Sequence, residues 1–231
     1  MSKALEVRFA AGTHDLYNVP LGLRRGDGGF ASANGWSAFD ALEDEELVQG
    51  LVELLRQQAT VEHEGGTVQF CTMGDVGEGG VVRAMGSEQS NTSVVLDERL
   101  VLKLYRRLEA GVNPELELLR FLTEHGFPSI ASLEGWAAHV GQPLDATLAI
   151  LQHYVPVRRD GWTFALEDLA AGGNGFVPLV RRLGEVTGRM HTVLASEPSD
   201  PAFSPEEPSV EALALIVARI DEEIEQVFAS L

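Results

Sequence analysis

A lone lysine in an apolar strand pattern is the residue of this chain best suited to chemistry. Lys103 stands between Leu102 and Leu104 in the run Leu100-Val101-Leu102-Lys103-Leu104-Tyr105. Downstream, Asn113-Pro114-Glu115-Leu116-Glu117 opens a helical pattern. Asn113 is a good N-cap, Pro114 suits the first helical position, and Leu116, Leu119 and Leu122 recur on one face. Upstream, Ser90-Asn91-Thr92-Ser93 reads as a polar turn between strands. A strand lysine, a glutamate on the following helix and a polar turn are the parts of a kinase-type grip on a nucleoside triphosphate. The lysine would contact phosphates and the glutamate would hold the lysine. Both Glu115 and Glu117 compete for that second role. The turn is not glycine-rich, but hydroxyl and amide side chains and turn N–H groups can donate to phosphate oxygens. The bland reading of the same residues is a polar hairpin, a strand-edge lysine and a surface glutamate.

The elements that must position these residues follow from periodicity. Leu5-Glu6-Val7-Arg8-Phe9 and Asp15-Leu16-Tyr17-Asn18-Val19-Pro20-Leu21 alternate as strands with one buried face, and Pro20 suggests an edge strand or a strand end. Residues 22–35, rich in glycine, read as a loop. Residues 44–58 form an amphipathic helix capped by Asp44, with Leu47, Leu51, Leu54 and Leu55 as its apolar positions. Glu64-Gly65-Gly66-Thr67 is a hairpin turn before a strand over 68–72, and a further strand resumes at Val81. Gly126 and Pro128 end the helix begun at Pro114. Residues 130–140 suggest a strand, and Leu148-Ala149-Ile150-Leu151 reads as a central one. Beyond it come a short helix at 161–169, a long amphipathic helix at 176–194 with Leu179, Leu183, Val186 and Met190 on one face, a proline-rich loop, and a last helix from Val210 with an acidic face.

The fold class expected is α+β. A cap domain occupies 1–85, a kinase-like antiparallel-sheet N-lobe 86–156, and the first helices of an incomplete C-lobe 157–231. Composition narrows the partners. The 231 residues carry 17 basic and 35 acidic side chains, a formal net charge of −18, which argues against nucleic acid. A polyanionic nucleotide would have to be held by local charge against that field. There is one cysteine, Cys71, so no internal disulfide framework exists, and it reads as a buried inert thiol. No apolar run approaches membrane-spanning length and the N-terminus lacks a signal-type apolar core, so a cytoplasmic location is the simplest expectation.

Three segments carry a family resemblance. Glu88-Gln89-Ser90-Asn91-Thr92-Ser93, Leu102-Lys103-Leu104-Tyr105-Arg106-Arg107-Leu108-Glu109 and Gly111-Val112-Asn113-Pro114-Glu115-Leu116-Glu117 together resemble bacterial maltokinases, including those fused to trehalose synthase. The resemblance continues through Leu151-Gln152-His153-Tyr154-Val155, Asp160-Gly161-Trp162 and Leu183-Gly184 to His191. It implies an aminoglycoside-phosphotransferase-like kinase fold and phosphorylation of maltose to maltose 1-phosphate with ATP and Mg²⁺, on the route from trehalose to α-glucan. Trehalose synthase is then an implied partner, fused or associated. In that frame Lys103 binds phosphates with Glu117 as its partner. Ser90, Asn91, Thr92 and Ser93 form the loop over the nucleotide. Gln152, His153, Tyr154 and Val155 form the hinge whose backbone meets adenine.

The same resemblance implies a His-Gly-Asp catalytic loop and a metal-binding aspartate beyond the C-lobe helices. None of the six histidines precedes Gly-Asp. No residue of the chain is therefore assigned as catalytic base or metal ligand. Two readings follow: the N-terminal part of a maltokinase, inactive as this isolated chain, or a non-catalytic kinase-like binding or interaction module.

Overall fold

The computed structural model describes all residues except 1, 11, 27, 78–79, 88–90, 158 and 231, and only the backbone of 2–4, 86–87 and 230. The chain divides into two compact units, Met1–Val186 and Thr187–Leu231.

The first unit is built on two antiparallel sheets. The smaller has the order β1-β2-β4-β3: β1 (Ser2–Arg8), β2 (His14–Arg25), β3 (Ala31–Ala33) and β4 (Trp36–Asp40). The glycine-rich segment expected to be a loop thus holds the end of β2 and all of β3. Pro20 does not lie on an edge strand. It sits where β2 changes partners, after the last pair with β1 (Ser2↔Pro20) and before the first with β4 (Leu21↔Asp40). A residue without an N–H costs no ladder bond at such a junction. A single 3-10 turn, Ala41–Glu43, then leads into α1 (Glu45–Arg56), whose N-cap Asp44 accepts from the Leu47 N–H. α1 buries Val48, Val52 and Leu55 while Leu47 is exposed, so its inner face lies one residue past the Leu47 stripe.

The larger sheet has seven strands in the order β5-β6-β11-β12-β9-β8-β7. They are β5 (Thr60–His63), β6 (Gly66–Thr72), β7 (Val82–Ser87), β8 (Asn91–Leu96), β9 (Leu100–Tyr105), β11 (Leu133–Gly141) and β12 (Ala146–His153). Residue 85, the expected division between cap and N-lobe, falls inside this sheet. The short β10 (Arg107–Leu108) leaves the large sheet to pair with β2 of the small one, at Arg107↔Tyr17 and Leu108↔Leu16.

Period-two alternation gives the large sheet two distinct faces. Val94, Leu96, Leu100, Leu102 and Leu104 point into the main core with Val48, Val52 and Leu55 of α1. On the other face, α2 (Pro114–Glu124) packs Leu116 against Tyr105, Leu133 and Ile150. α2 starts at its expected cap: the Asn113 side chain accepts from the Glu115 N–H at 2.9 Å. Gly126, with φ +63°, takes the left-handed conformation that ends it. After β12 come α3 (Gly161–Ala170), capped by Asp160, and the start of α4 (Phe176–Leu194). No residue of α4 is fully buried, and Leu179 and Leu183 of its apolar stripe are exposed. The second unit holds the end of α4 and α5 (Val210–Ser230), where Arg219 and Glu223 pair at i,i+4.

Candidate functional site

Lys103 lies on the α2 face of the sheet. Its neighbours Leu102 and Leu104 point the other way, into the core, and hold β9 in the sheet centre. Directly across from Lys103 stand Ser93 on β8 and the fully buried Ile150 on β12. The Lys103 Nζ donates to both carboxylate oxygens of Glu115, at 2.8 and 3.1 Å. The Tyr105 hydroxyl donates to the same carboxylate at 2.9 Å. Burial, and then the adjacent Glu115 charge, push the Tyr105 phenol far above its ordinary value, so it remains a donor.

Of the two competing glutamates, the structure thus selects Glu115. Glu117 is half-buried one position past Leu116, and the lysine does not reach it. The reason is the way α2 is moored. The Asn113 N–H donates to the Thr147 hydroxyl at 2.9 Å, and the Gly111 N–H to the Asp145 carbonyl at 2.8 Å. Gly111 also bridges to Ala146 in parallel. These contacts turn the first residue after Pro114, not the third, toward β9.

The polar residues placed in a turn are distributed otherwise. Ser90 lies outside the described residues. Asn91, Thr92 and Ser93 are the first residues of β8, and alternation divides them between the faces. Asn91, across from Tyr105, and Ser93, across from Lys103, share the lysine's face. Thr92, across from Leu104, faces the small sheet. Its hydroxyl accepts from Arg106 Nε at 2.9 Å, and Arg106 also pairs with Asp40 at the end of β4. Thr92 is therefore part of the link between the sheets, not of the lysine's surroundings.

The presumed hinge is also more committed than a free strand end. Gln152 lies in the ladder between Val101 and Leu133. The His153 N–H donates to the Ser132 carbonyl at 3.0 Å and the Tyr154 N–H to the Arg99 carbonyl at 2.8 Å. The His153 ring meets the buried Glu134 carboxylate at 2.9 Å. Val155 is the first residue here with its N–H uncommitted to another described residue.

Sequence reasoning missed three things. Tyr105 joins Lys103 on Glu115, a signal present in the two-residue spacing. Arg106 ties β8 to β4. A row of residues crosses the lysine's face one pair nearer the hinge: Arg83 on β7, Val95 on β8, Val101 on β9 and Gln152 on β12. Val95 is 0% and Val101 5% exposed. Both side chains of the middle of this row are thus covered in the structure. Cys71 is half-buried, and burial raises its thiol pKa, which disfavours the reactive thiolate.

The fold is of a kinase-like α+β kind: a small antiparallel sheet, a seven-stranded antiparallel sheet carrying Lys103, and the helices that follow. No protein-family profile matches the chain. A glucosamine kinase from Streptacidiphilus jiangxiensis is 27% identical over 164 residues, which cover 67% of this chain and 35% of that relative. Among solved structures, a glucosamine kinase in complex with glucosamine, ADP and inorganic phosphate superposes with a TM-score of 0.65 at 21% identity, over 99% of this chain and 50% of the other. A second crystal form of glucosamine kinase gives 0.63 at 22% identity over 99% and 50%. The chain spans about half the length of the solved structures it matches. No helix among the described residues is long and apolar enough to cross a membrane.

Proposed function

We propose that this chain is the nucleotide-gripping part of an ATP-dependent sugar kinase. The observation that carries the reading is the Lys103–Glu115 pair, strand lysine to helix carboxylate, in a kinase-like sheet. Lys103 would hold phosphate oxygens, and Glu115 and Tyr105 would keep its ammonium in place. The likeness to glucosamine kinases, one of them bound to ADP and a sugar, supports this class of activity. The maltokinase-like motifs around Lys103 favour maltose as the sugar, with maltose 1-phosphate as product and trehalose synthase as partner. Glucosamine is the second candidate, favoured by the sequence match.

Among the described residues no three His, Cys, Asp or Glu side chains cluster as metal ligands, and no residue is assigned to magnesium. No step of the reading is routed through the ion. The chain also contains no His-Gly-Asp triplet to supply a base. Phosphoryl transfer would then need groups beyond those present, and the chain alone would bind nucleotide without turning over maltose or glucosamine. A non-catalytic kinase-like binding module is the alternative; the two readings share the nucleotide grip.

The test is calorimetric titration of the chain with ATP. Binding that falls tenfold or more in Lys103→Met is the expected result. Absence of binding in the native chain, or equal affinity in Lys103→Met, refutes the reading. Phosphorylation of either sugar by the chain alone would overturn the division between grip and chemistry.

A further inference from the structure

The core face of the large sheet changes side-chain size abruptly at its middle. Across β6, β11, β12 and β9 the paired residues run Phe70, Ala137, Ala149 and Leu104. Two methyl side chains thus stand side by side between two large ones. The pairing of β11 with β12 is also irregular here: Ala137 faces Ala149 and Ala138 faces Thr147, which leaves Leu148 as an extra residue on β12. Leu148 and Ala149 both belong to the core as a result.

A cavity of about 60 Å³ is lined by these two alanines. Leu51 and Leu55 of α1 and Asn18 and Pro20 of β2 complete its walls. At β9 it meets Leu102 and Leu104, while Lys103 between them faces the other side of the sheet, so the cavity lies behind the lysine and apart from its site. Asn18 is the one polar residue of the lining among the described residues, and its N–H is taken by the Arg106 carbonyl at 2.7 Å. A water molecule needs about two to four polar partners to stay in such a space, and carbon walls do not supply them. One water fills roughly 10–15 Å³ and a dry cavity of about 150 Å³ holds benzene, so this one lies between the two in size.

We infer that this cavity is a dry binding site for one small apolar molecule, smaller than benzene and without hydrogen-bonding groups; xenon and short hydrocarbons are of that class. Such an occupant restores the dispersion contacts that the wall atoms lack and displaces no hydrogen-bonded water. Leu51 and Val68 are the half-buried members of the lining, which puts the entrance between α1 and β6. The inference does not depend on the nucleotide reading.

The experiment follows the leucine and valine methyl signals of the full chain by NMR under rising xenon pressure. Saturable shifts at Leu102, Leu104 and Leu148, with Leu116 and Leu133 on the other face of the sheet unmoved, are the expected result. Ala149→Val fills the gap, so it abolishes those shifts and raises the thermal midpoint by about 1–4 °C. Ala137→Val makes the same test from β11 in case Ala149→Val does not fold. Absence of saturable shifts in the native chain overturns the inference, as do equal shifts at Leu116 and Leu133, or shifts that persist undiminished in the filled variants. A long-lived water, seen as a cross-peak to the Leu148 methyls, overturns it too, because the site would then be wet.

Discussion

Replacing Glu115 by alanine, beside the same change at Glu117, separates the two glutamates of α2. In the structure Glu115 receives two bonds from Lys103 and one from Tyr105, whose hydroxyl belongs to a buried residue. The Lys103 side chain is 20% exposed and that of Glu115 36%. The pair therefore sits between a surface ion pair, worth at most about 1 kcal/mol, and a buried one, whose disruption costs about 3–5 kcal/mol. Water reaches enough of the carboxylate to discount the upper figure heavily. Removing it should destabilise the chain by about 1–2 kcal/mol, part of it from the Tyr105 hydroxyl left without its acceptor. For a protein of this size that is a fall of about 2–8 °C in thermal midpoint. Glu117→Ala should stay within about 0.5 kcal/mol of the native chain. The same loss frees Lys103 to adopt other rotamers, so ATP affinity should fall about tenfold in Glu115→Ala and not in Glu117→Ala. Thermal denaturation and calorimetry of the two variants, of Lys103→Met and of the Lys103→Met/Glu115→Ala double mutant complete the cycle. A coupling energy near zero, or a larger effect from Glu117→Ala, refutes the assignment.

Thr92→Ala should lower stability by about 1 kcal/mol in urea denaturation, through its lost bond from Arg106, while ATP affinity stays native; a fall in affinity would return Thr92 to the nucleotide face. Leu151→Ala, at a fully buried position of β12, should cost about 2–5 kcal/mol in the same assay, and a loss under 1 kcal/mol would contradict its place in the core. The cap of α3 should respond to acid. The Thr163 N–H holds the Asp160 carboxyl below its ordinary value of 3.8, so its contribution is full above that value and disappears as pH falls through the lowered one. Protection of the Thr163 amide, relative to its intrinsic exchange rate at each pH, should fall over that window, and Asp160→Ala should show low protection at every pH; acid-independent protection in the native chain would dismiss the cap.

What could be read from sequence alone divides by the range of the interactions that decide it. Asp44, Asn113, Pro114 and Gly126 act on their own helix ends, and α1 and α2 begin or end at them. The apolar run Leu148-Ala149-Ile150-Leu151 needs no partner to identify it as central, and β12 is bonded on both sides. The β3–β4 hairpin was hidden because its pairing with β2 supplies what its glycine-rich local sequence does not favour. The choice between Glu115 and Glu117 was hidden for a related reason. Two residues apart on a helix they point about 200° from each other, so only one can face β9. Which one depends on the rotation of α2, and that is set by the bonds from Asn113 to Thr147 and from Gly111 to Asp145, partners more than thirty positions away. The division of Asn91, Thr92 and Ser93 is the opposite case. Once β8 is a strand, period two alone sends Thr92 away from its neighbours. Placing the three together in a turn hid it, because a turn carries no face. Among the described residues, β8 therefore offers fewer polar side chains to the lysine's face than a turn would have provided: Asn91 and Ser93 share that face, and Thr92 does not.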